Sequence, residues 1–121
     1  MANVMIVDDA SFMRSSLRFI VEKHGHTVIG TATDGKEAIA LYTKLKPDIV
    51  TLDVIMKDMD GISTLKALLE KDPHAKIIMV TAVGQESKQI EAKEIGALGY
   101  IRKPFKPEDI AAEIDSVLGQ N

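Results

Sequence analysis

Five short apolar runs, each followed by a segment with helical periodicity, restrict the fold of this sequence more than any other feature. The runs are Val4–Val7, Thr27–Ala32, Ile49–Leu52, Lys76–Val80 and Gly99–Arg102. Continuous apolar runs are typical of strands that are covered on both faces. Strands that alternate with helices predict a parallel sheet with helices on each side, which is an α/β doubly wound (βα)5 fold.

The segments that follow the runs repeat apolar residues every three or four positions, as one buried face of a helix requires. The residues predicted to face inward are, helix by helix, Met13, Leu17, Ile20 and Val21; Ala38, Tyr42 and Leu45; Ile62, Leu65, Leu68 and Leu69; Ile90, Ala92 and Ile95; and Ile110, Ile114, Val117 and Leu118. The fourth segment, Glu86–Ile95, is the least apolar, so we expect it to be the most weakly packed helix.

Local signals mark where these helices start and stop. Asp34 is predicted to cap the start of the second helix, and Pro107 suits the first turn of the last one. The predicted stops are glycines and prolines that cannot continue a helix, namely Gly25, Pro47, Asp72–Pro73, Gly96 and Gly119. We therefore expect five complete strand–helix units without a linker, forming a single domain over residues 1–121.

Composition excludes several classes of protein. With 45% hydrophobic and 27% charged residues, the chain resembles an ordinary globular domain rather than a disordered one. Fifteen basic and 18 acidic residues give a formal charge of −3, and only 4% of residues are aromatic. This balance predicts neither an electrostatic nor a base-stacking surface for nucleic acid. We expect no direct binding to nucleic acid.

The sequence also indicates a compartment. No apolar run approaches the roughly 20 residues that span a bilayer, and the first residues do not resemble a signal peptide. The chain has no cysteine, so disulfides and thiolate chemistry are excluded. We expect a cytoplasmic monomer that does not insert into a membrane.

Polar residues follow four of the five apolar runs. Asp8 and Asp9 follow the first, Asp53 the third, Thr81 the fourth and Lys103 the fifth. In open parallel sheets, ligands bind outside the carboxyl ends of the strands, so these side chains are candidates for one site. In the strand order 2-1-3-4-5 the first and third strands are neighbours, which would bring the three carboxylates together.

Three clustered carboxylates require a cation. Two unit charges ~4 Å apart repel by about 4 kcal/mol at an effective dielectric constant of 20. Lys103 alone does not balance three negative charges. Ligands that are all oxygen favour a hard ion, and a shallow loop edge with few carboxylates favours Mg²⁺ over Ca²⁺.

Four segments together carry a resemblance to a known family. They are Val7–Arg14 (VDDASFMR), Asp53–Gly61 (DVIMKDMDG), Val80–Ala82 (VTA) and Lys103–Phe105 (KPF). In this order, at the ends of these strands, they resemble the response-regulator receiver domains, and among them the CheY-like, chemotaxis-type receivers. The resemblance covers essentially the whole chain and implies the flavodoxin-like order 2-1-3-4-5.

The resemblance implies a role for each site residue. Asp53 would be the phosphoacceptor nucleophile. Asp8 and Asp9 would hold Mg²⁺, together with Asp53 and the backbone carbonyl of Ile55. Thr81 would hydrogen-bond one phosphoryl oxygen.

Three further features follow from the same resemblance. Lys103 would pair with another phosphoryl oxygen, and its peptide bond to Pro104 would be cis. Tyr100 matches the aromatic switch position, which would respond together with Thr81. Lys57 occupies a position in the acceptor loop where the family usually has proline, a departure that leaves the acceptor assignment unchanged.

The implied function is a phosphorylation switch that acts on no other substrate and catalyses only its own phosphorylation and dephosphorylation. A histidine kinase would donate the phosphoryl group, and a downstream protein, the flagellar motor switch in chemotaxis, would read the result. One alternative is a receiver that belongs to a larger regulator, such as a methylesterase or a transcription factor. Another is a flavodoxin-like nucleotide-binding enzyme, which is disfavoured because Asp8–Asp9 stand where a glycine-rich phosphate loop would lie.

Several other residues have no catalytic or metal-binding role in this interpretation. The three histidines, His24, His26 and His74, lie near turns and share no spacing with a set of carboxylate ligands, so we expect them at the surface. Phe105 is expected in the core or at its rim. The remaining basic residues of interest are expected to form a solvated or partner-facing patch: Lys88, Lys93, Arg102 and Lys106.

Overall fold

Five strands and five helices alternate along the chain in the computed structural model, which describes residues 1–57 and 59–120. The strands are β1 (Asn3–Val7), β2 (Thr27–Ala32), β3 (Ile49–Asp53), β4 (Ile77–Thr81) and β5 (Gly99–Arg102). The helices are α1 (Ser11–Lys23), α2 (Gly35–Leu45), α3 (Gly61–Lys71), α4 (Glu86–Ile95) and α5 (Pro107–Leu118). Asp58, part of the predicted acceptor loop, lies outside the described residues.

The strands form one parallel sheet in the order β2-β1-β3-β4-β5, which confirms the predicted fold. Three strands differ from their predicted bounds by one residue at one or both ends. β1 begins at Asn3, which pairs with Thr27 of β2. β3 extends to Asp53, which pairs with Val80, and β4 runs from Ile77 to Thr81.

These shifts have one consequence for the site. Asp53 and Thr81 are the last residues of their strands rather than the first residues of flexible loops. Every residue of β3 and of β4 is buried, as expected for central strands of a parallel sheet. The sheet ladder therefore fixes the backbone at both positions.

Two hydrophobic clusters cover the two faces of the sheet. Buried residues of α2, α3 and α4 pack on one face, and buried residues of α1 and α5 pack on the other. Burying each large aliphatic side chain contributes about 1.5–3 kcal/mol, so these clusters supply most of the stability. The described helices are all too short or too polar to cross a membrane.

Most predicted helix signals are confirmed. The Asp34 carboxylate accepts the Glu37 N–H at 2.8 Å at the start of α2. Pro107 is the first residue of α5, and Gly96 caps the end of α4 with a φ of +135°, a conformation that favours glycine. Phe105 is half-buried at the rim of the α1 and α5 cluster, as expected.

The predicted inward face of α4 is partly wrong. Ala92 is fully buried and Ile95 is half-buried, but Ile90 is 62% exposed. Each helical residue turns about 100°, so Ile90 lies roughly 200° from Ala92, on the opposite face. Ile95 lies three residues beyond Ala92 and returns to the buried side. Among the described residues of α4, only Ala92 is fully buried, so the expectation of a weakly packed helix holds.

Candidate functional site at the carboxyl edge of the sheet

The carboxyl ends of β1 and β3 bring three carboxylates together. Val7 of β1 pairs with Leu52 of β3, so the residues that follow are neighbours across the ladder. One oxygen each of Asp8, Asp9 and Asp53 lies within 4.8 Å of the others. We call these three residues the acidic cluster. The structure thus gathers the three acids that the strand-end pattern grouped.

Lys103 contacts two members of the acidic cluster. Its Nζ lies 3.5 Å from Asp53 Oδ2 and 3.7 Å from Asp8 Oδ2. Its backbone N–H donates to the carbonyl of Thr81 at 2.7 Å, which fixes the start of the loop that carries it. The Lys103–Pro104 peptide bond is cis, as the resemblance implies. One ammonium thus faces several carboxylates and leaves the cluster with excess negative charge.

Burial and this excess negative charge together alter the acidity of Asp53. Burial, followed by repulsion from the Asp8 carboxylate, raises the pKa of Asp53 from 3.8 to about 6. Lys103 and the Ile55 N–H, which lies 3.4 Å from Asp53 Oδ1, lower the pKa but do not offset these effects. Without a further cation, Asp53 therefore holds its proton more tightly than an ordinary aspartate.

The Asp8 carboxylate supplies an independent test of whether a cation fits. Its Oδ1 accepts the Ala10 N–H at 2.9 Å, whereas its buried Oδ2 has no hydrogen-bond partner within the described part of the chain. Lys103 Nζ lies 3.7 Å from this oxygen, beyond hydrogen-bond distance. A buried carboxylate oxygen without a hydrogen-bond partner is costly, and a bound cation would satisfy it. With carboxylate donors only, the acidic cluster fits a hard divalent cation.

Two further predicted residues, Ile55 and Thr81, border the acidic cluster. Ile55 lies two residues beyond Asp53 and is 58% exposed. Its carbonyl remains a predicted ligand. Thr81 is buried at the end of β4, and its partner Arg102 in β5 immediately precedes Lys103. The Thr81 and Lys103 segments are therefore adjacent beside Asp53.

Tyr100 lies further from the acidic cluster, on the edge strand β5. Its ring is half-buried against the α2, α3 and α4 side of the core, and its hydroxyl donates to the Ala97 carbonyl at 3.3 Å. Its backbone N–H donates to Glu113 Oε2 of α5 at 2.6 Å. Burial, followed by the Glu113 charge, raises the pKa of the Tyr100 hydroxyl.

Two residues that were not predicted from the sequence also touch this site. The Arg14 side chain donates to the carbonyl of Asp8, and the Gln85 side chain accepts the N–H of Ala82, the residue after Thr81. Arg14 lies six residues after Asp8, which was a usable signal because an arginine one turn into a helix can reach back to the preceding loop. For Gln85 we find no sequence signal beyond its place before α4.

A second group of ligand-type side chains lies near the amino edge of the sheet. His24 and His26 lie beside Asp115 of α5, with one ligand atom of each within 4.8 Å of the others. The surface prediction holds for His24 but is wrong for His26, which is half-buried and accepts the Ala2 N–H at Nδ1 at 2.9 Å. Burial lowers the pKa of His26, and this hydrogen bond places the proton of the neutral ring on Nε2. A metal would need the lone pair that this proton occupies, so we assign no metal site here.

Comparison with known proteins agrees with the geometry. Residues 4–115 match the response regulator receiver domain. Chemotaxis protein CheY of Thermotoga maritima is 47% identical over 114 residues, which cover 94% of this chain and 95% of that protein. Protein CcdB of Bacillus subtilis is 43% identical over 119 residues, which cover 98% and 99% of the two chains.

A solved structure gives the same result. The fold is similar to that in the CheX-CheY-BeF3-Mg²⁺ complex from Borrelia burgdorferi, with a TM-score of 0.93 and 38% identity over 98% of this chain and 90% of the other. The chain belongs to the response regulator receiver domain family, the signalling modules of two-component systems, and resembles the CheY proteins within it.

Proposed function

We propose that this chain is a phosphorylation switch in which Asp53 accepts a phosphoryl group from the phosphohistidine of a histidine kinase. The observation that carries this proposal is the position of Asp53. Its carboxylate ends a central strand, lies within reach of Asp8 and Asp9, and is 3.5 Å from Lys103 Nζ. A receiver needs an acceptor, a cation site and a charged partner at one edge, and these residues supply all three.

The chemistry follows from the groups around Asp53. An oxygen of its carboxylate attacks the phosphorus, so that an O–P bond forms while the N–P bond to the kinase histidine breaks. Lys103 and Thr81 then bind the phosphoryl oxygens, where charge develops. When bound by Asp8, Asp9, Asp53 and the Ile55 carbonyl, Mg²⁺ would neutralise part of the charge on the phosphoryl group. Hydrolysis of the acyl phosphate regenerates Asp53, so the signal is self-limiting.

The protein signals by binding a partner and acts on no other substrate. Chemotaxis is the favoured pathway because several relatives are CheY proteins, with the flagellar motor switch as the corresponding target. The similarity to Protein CcdB of Bacillus subtilis shows that the same degree of identity extends to proteins not named for chemotaxis. We propose a single receiver domain over residues 1–121, acting as a monomer in the cytoplasm.

A receiver that belongs to a larger regulator is the second candidate. The chain is 39% identical to a protein-glutamate methylesterase of Archaeoglobus fulgidus, of which it matches only 29%. Either candidate uses the same acidic cluster. The flavodoxin-like enzyme is disfavoured because Asp8 and Asp9 would repel a phosphate bound after β1.

Intact-mass spectrometry after treatment with acetyl phosphate and Mg²⁺ tests the acceptor. We expect wild type to gain one phosphoryl group and Asp53→Asn, which keeps the shape of the side chain, to gain none. Asp48→Asn at the exposed amino edge is the matched control and should be labelled like wild type. Labelling of Asp53→Asn at another residue, as strong as in wild type, would exclude Asp53 as the acceptor.

A further inference from the structure

We propose that Arg14 is a positioning residue that holds the Asp8–Asp9 segment in the conformation that binds the cation. This inference rests on the cation site of the proposed function. Arg14 is half-buried in the first turns of α1, and its Nη1 donates to the backbone carbonyl of Asp8 at 2.7 Å. That carbonyl belongs to the peptide unit that joins Asp8 to Asp9, so the contact fixes the plane from which Asp9 projects.

Three hydrogen bonds close a ring around this segment. The Asp8 carboxylate accepts the Ala10 N–H at 2.9 Å, and the Ala10 carbonyl accepts the Arg14 N–H at 3.0 Å. The guanidinium of Arg14 then returns to the Asp8 carbonyl. The cap residue Ala10 makes no side-chain cap bond, because alanine has no acceptor, and the first turn of α1 has no acidic residue. Arg14 therefore restrains the loop before α1, where no capping side chain does so, although as a donor it cannot satisfy the free N–H groups of the first turn.

The choice of acceptor matters for the cation. Lys103 pairs with carboxylate oxygens, whereas Arg14 binds a carbonyl and leaves the carboxylate oxygens of Asp8 and Asp9 to other partners. A planar guanidinium holds its geometry better than a lysine ammonium, which suits a positioning role. The positive charge of Arg14 repels a cation bound nearby. Positioning by Arg14 should therefore raise the affinity for Mg²⁺, whereas its charge lowers it.

Salt separates these two contributions, since the Debye length falls from about 30 Å at 0.01 M to about 3 Å at 1 M. The experiment titrates unphosphorylated protein with MgCl2 and follows backbone amide shifts by NMR at both ionic strengths. For Arg14→Gln, the dissociation constant at 1 M salt should exceed that of wild type at least fivefold. At 0.01 M salt the ratio of the two dissociation constants should be smaller. The substitution removes a positive charge, and at low salt that loss favours cation binding.

The control is Arg18→Gln, one turn further along α1, where Arg18 pairs with the exposed Glu22. The Mg²⁺ dissociation constant of Arg18→Gln at 1 M salt should stay within twofold of the wild-type value. If Arg14→Gln does not fold, Arg14→Lys, which keeps the charge, should bind Mg²⁺ more weakly by a factor that does not depend on salt.

Two results would overturn the inference and have different meanings. Wild-type affinity in Arg14→Gln at 1 M salt, with or without a lower melting temperature, would show that Arg14 only supports the fold. Absence of Mg²⁺ binding in wild type itself would remove the cation site of the proposed function, and this role with it.

Discussion

The Lys103 ammonium lies 3.5 Å from Asp53 Oδ2 at the carboxyl edge of the sheet, yet this contact does not neutralise the site. Lys103 is shared with Asp8, and burial opposes the charged form of Asp53. The pKa of Asp53 is therefore raised to about 6 in spite of its ion pair. In the absence of a divalent cation, the Asp53 carboxylate is a source of instability at neutral pH.

The first prediction concerns stability and pH. Between pH 3.8 and about 6, the folded state binds more protons at Asp53 than the unfolded state does, so the free energy of unfolding falls as pH rises through this window. Asp53→Asn removes this loss. The measurement is the free energy of unfolding in urea without Mg²⁺. The value for Asp53→Asn minus the value for wild type should be larger at pH 7.5 than at pH 4.5 by about 1–3 kcal/mol.

A surface variant provides the reference for this measurement. Glu70→Gln changes an exposed carboxylate of α3. Its free energy of unfolding should differ from that of wild type by nearly the same amount at the two pH values. If the Asp53→Asn difference is also independent of pH, the carboxyl of Asp53 titrates near its ordinary value, and the account of the crowded site is wrong.

The second prediction concerns Asp9, one of the proposed cation ligands in the acidic cluster. Asp9→Ala should weaken Mg²⁺ binding by at least tenfold, or about 1.4 kcal/mol. Its melting temperature in EDTA should equal or exceed that of wild type, because one repulsive charge is lost. Calorimetric titration and thermal unfolding provide the two measurements, and unchanged Mg²⁺ affinity would exclude Asp9 as a ligand.

The strand order came from the family resemblance, whereas the members of the site could be grouped from the sequence for a simple reason. In a parallel sheet the carboxyl ends of all strands lie at one edge, so Asp8, Asp53 and Lys103 could be grouped from their places after apolar runs. Contacts between side chains at unrelated positions could not be predicted in this way. His24 and Asp115 are 91 residues apart and meet only because α1 and α5 cover the same face.

Ile90 shows a different limit of the sequence analysis. An isoleucine on a helix with few apolar residues looks like a core residue by composition. Its angular position relative to Ala92 places it outside, and with so few apolar residues the periodicity was too weak to show this. The same scarcity leaves α4 with little buried surface.

The third prediction is that the phosphoryl group is lost slowly compared with its loss from fast chemotaxis receivers. Ile55 and Val83, each two residues beyond a site residue, are 58% and 73% exposed. By the family resemblance these positions flank the path of the attacking water, and apolar side chains can neither orient nor polarise it. Combining Ile55→Asn with Val83→Glu should increase the hydrolysis rate at least several-fold, measured as decay of labelled protein after the phosphodonor is removed. An unchanged rate would mean that these positions do not control the water.

The last prediction concerns the output surface, formed by α4, β5 and α5. Gln85 precedes α4 and accepts the Ala82 N–H at 2.7 Å, which links the end of β4 at Thr81 to the start of the helix. Arg102 of β5 binds Glu86 of α4 at 3.2 Å, so the strand that carries the Tyr100 ring is tied to the same helix end. Because Ala92 is the only fully buried residue described in α4, we expect a displacement at Thr81 to shift this helix.

Phosphorylation should therefore draw Thr81 toward Asp53, move the start of α4 through Gln85 and make room for the Tyr100 ring. A partner that binds this state tenfold more tightly requires only about 1.4 kcal/mol of coupling. Beryllofluoride with Mg²⁺ should perturb amide shifts throughout residues 86–106 in wild type. In Gln85→Ala the shifts in α4 should be smaller, while those around Asp53 persist; Gln89→Ala, on the same helix, is the control. Perturbations confined to the loops around Asp53 and Thr81 in wild type would show that Tyr100 is a fixed, half-buried residue without a role in signalling.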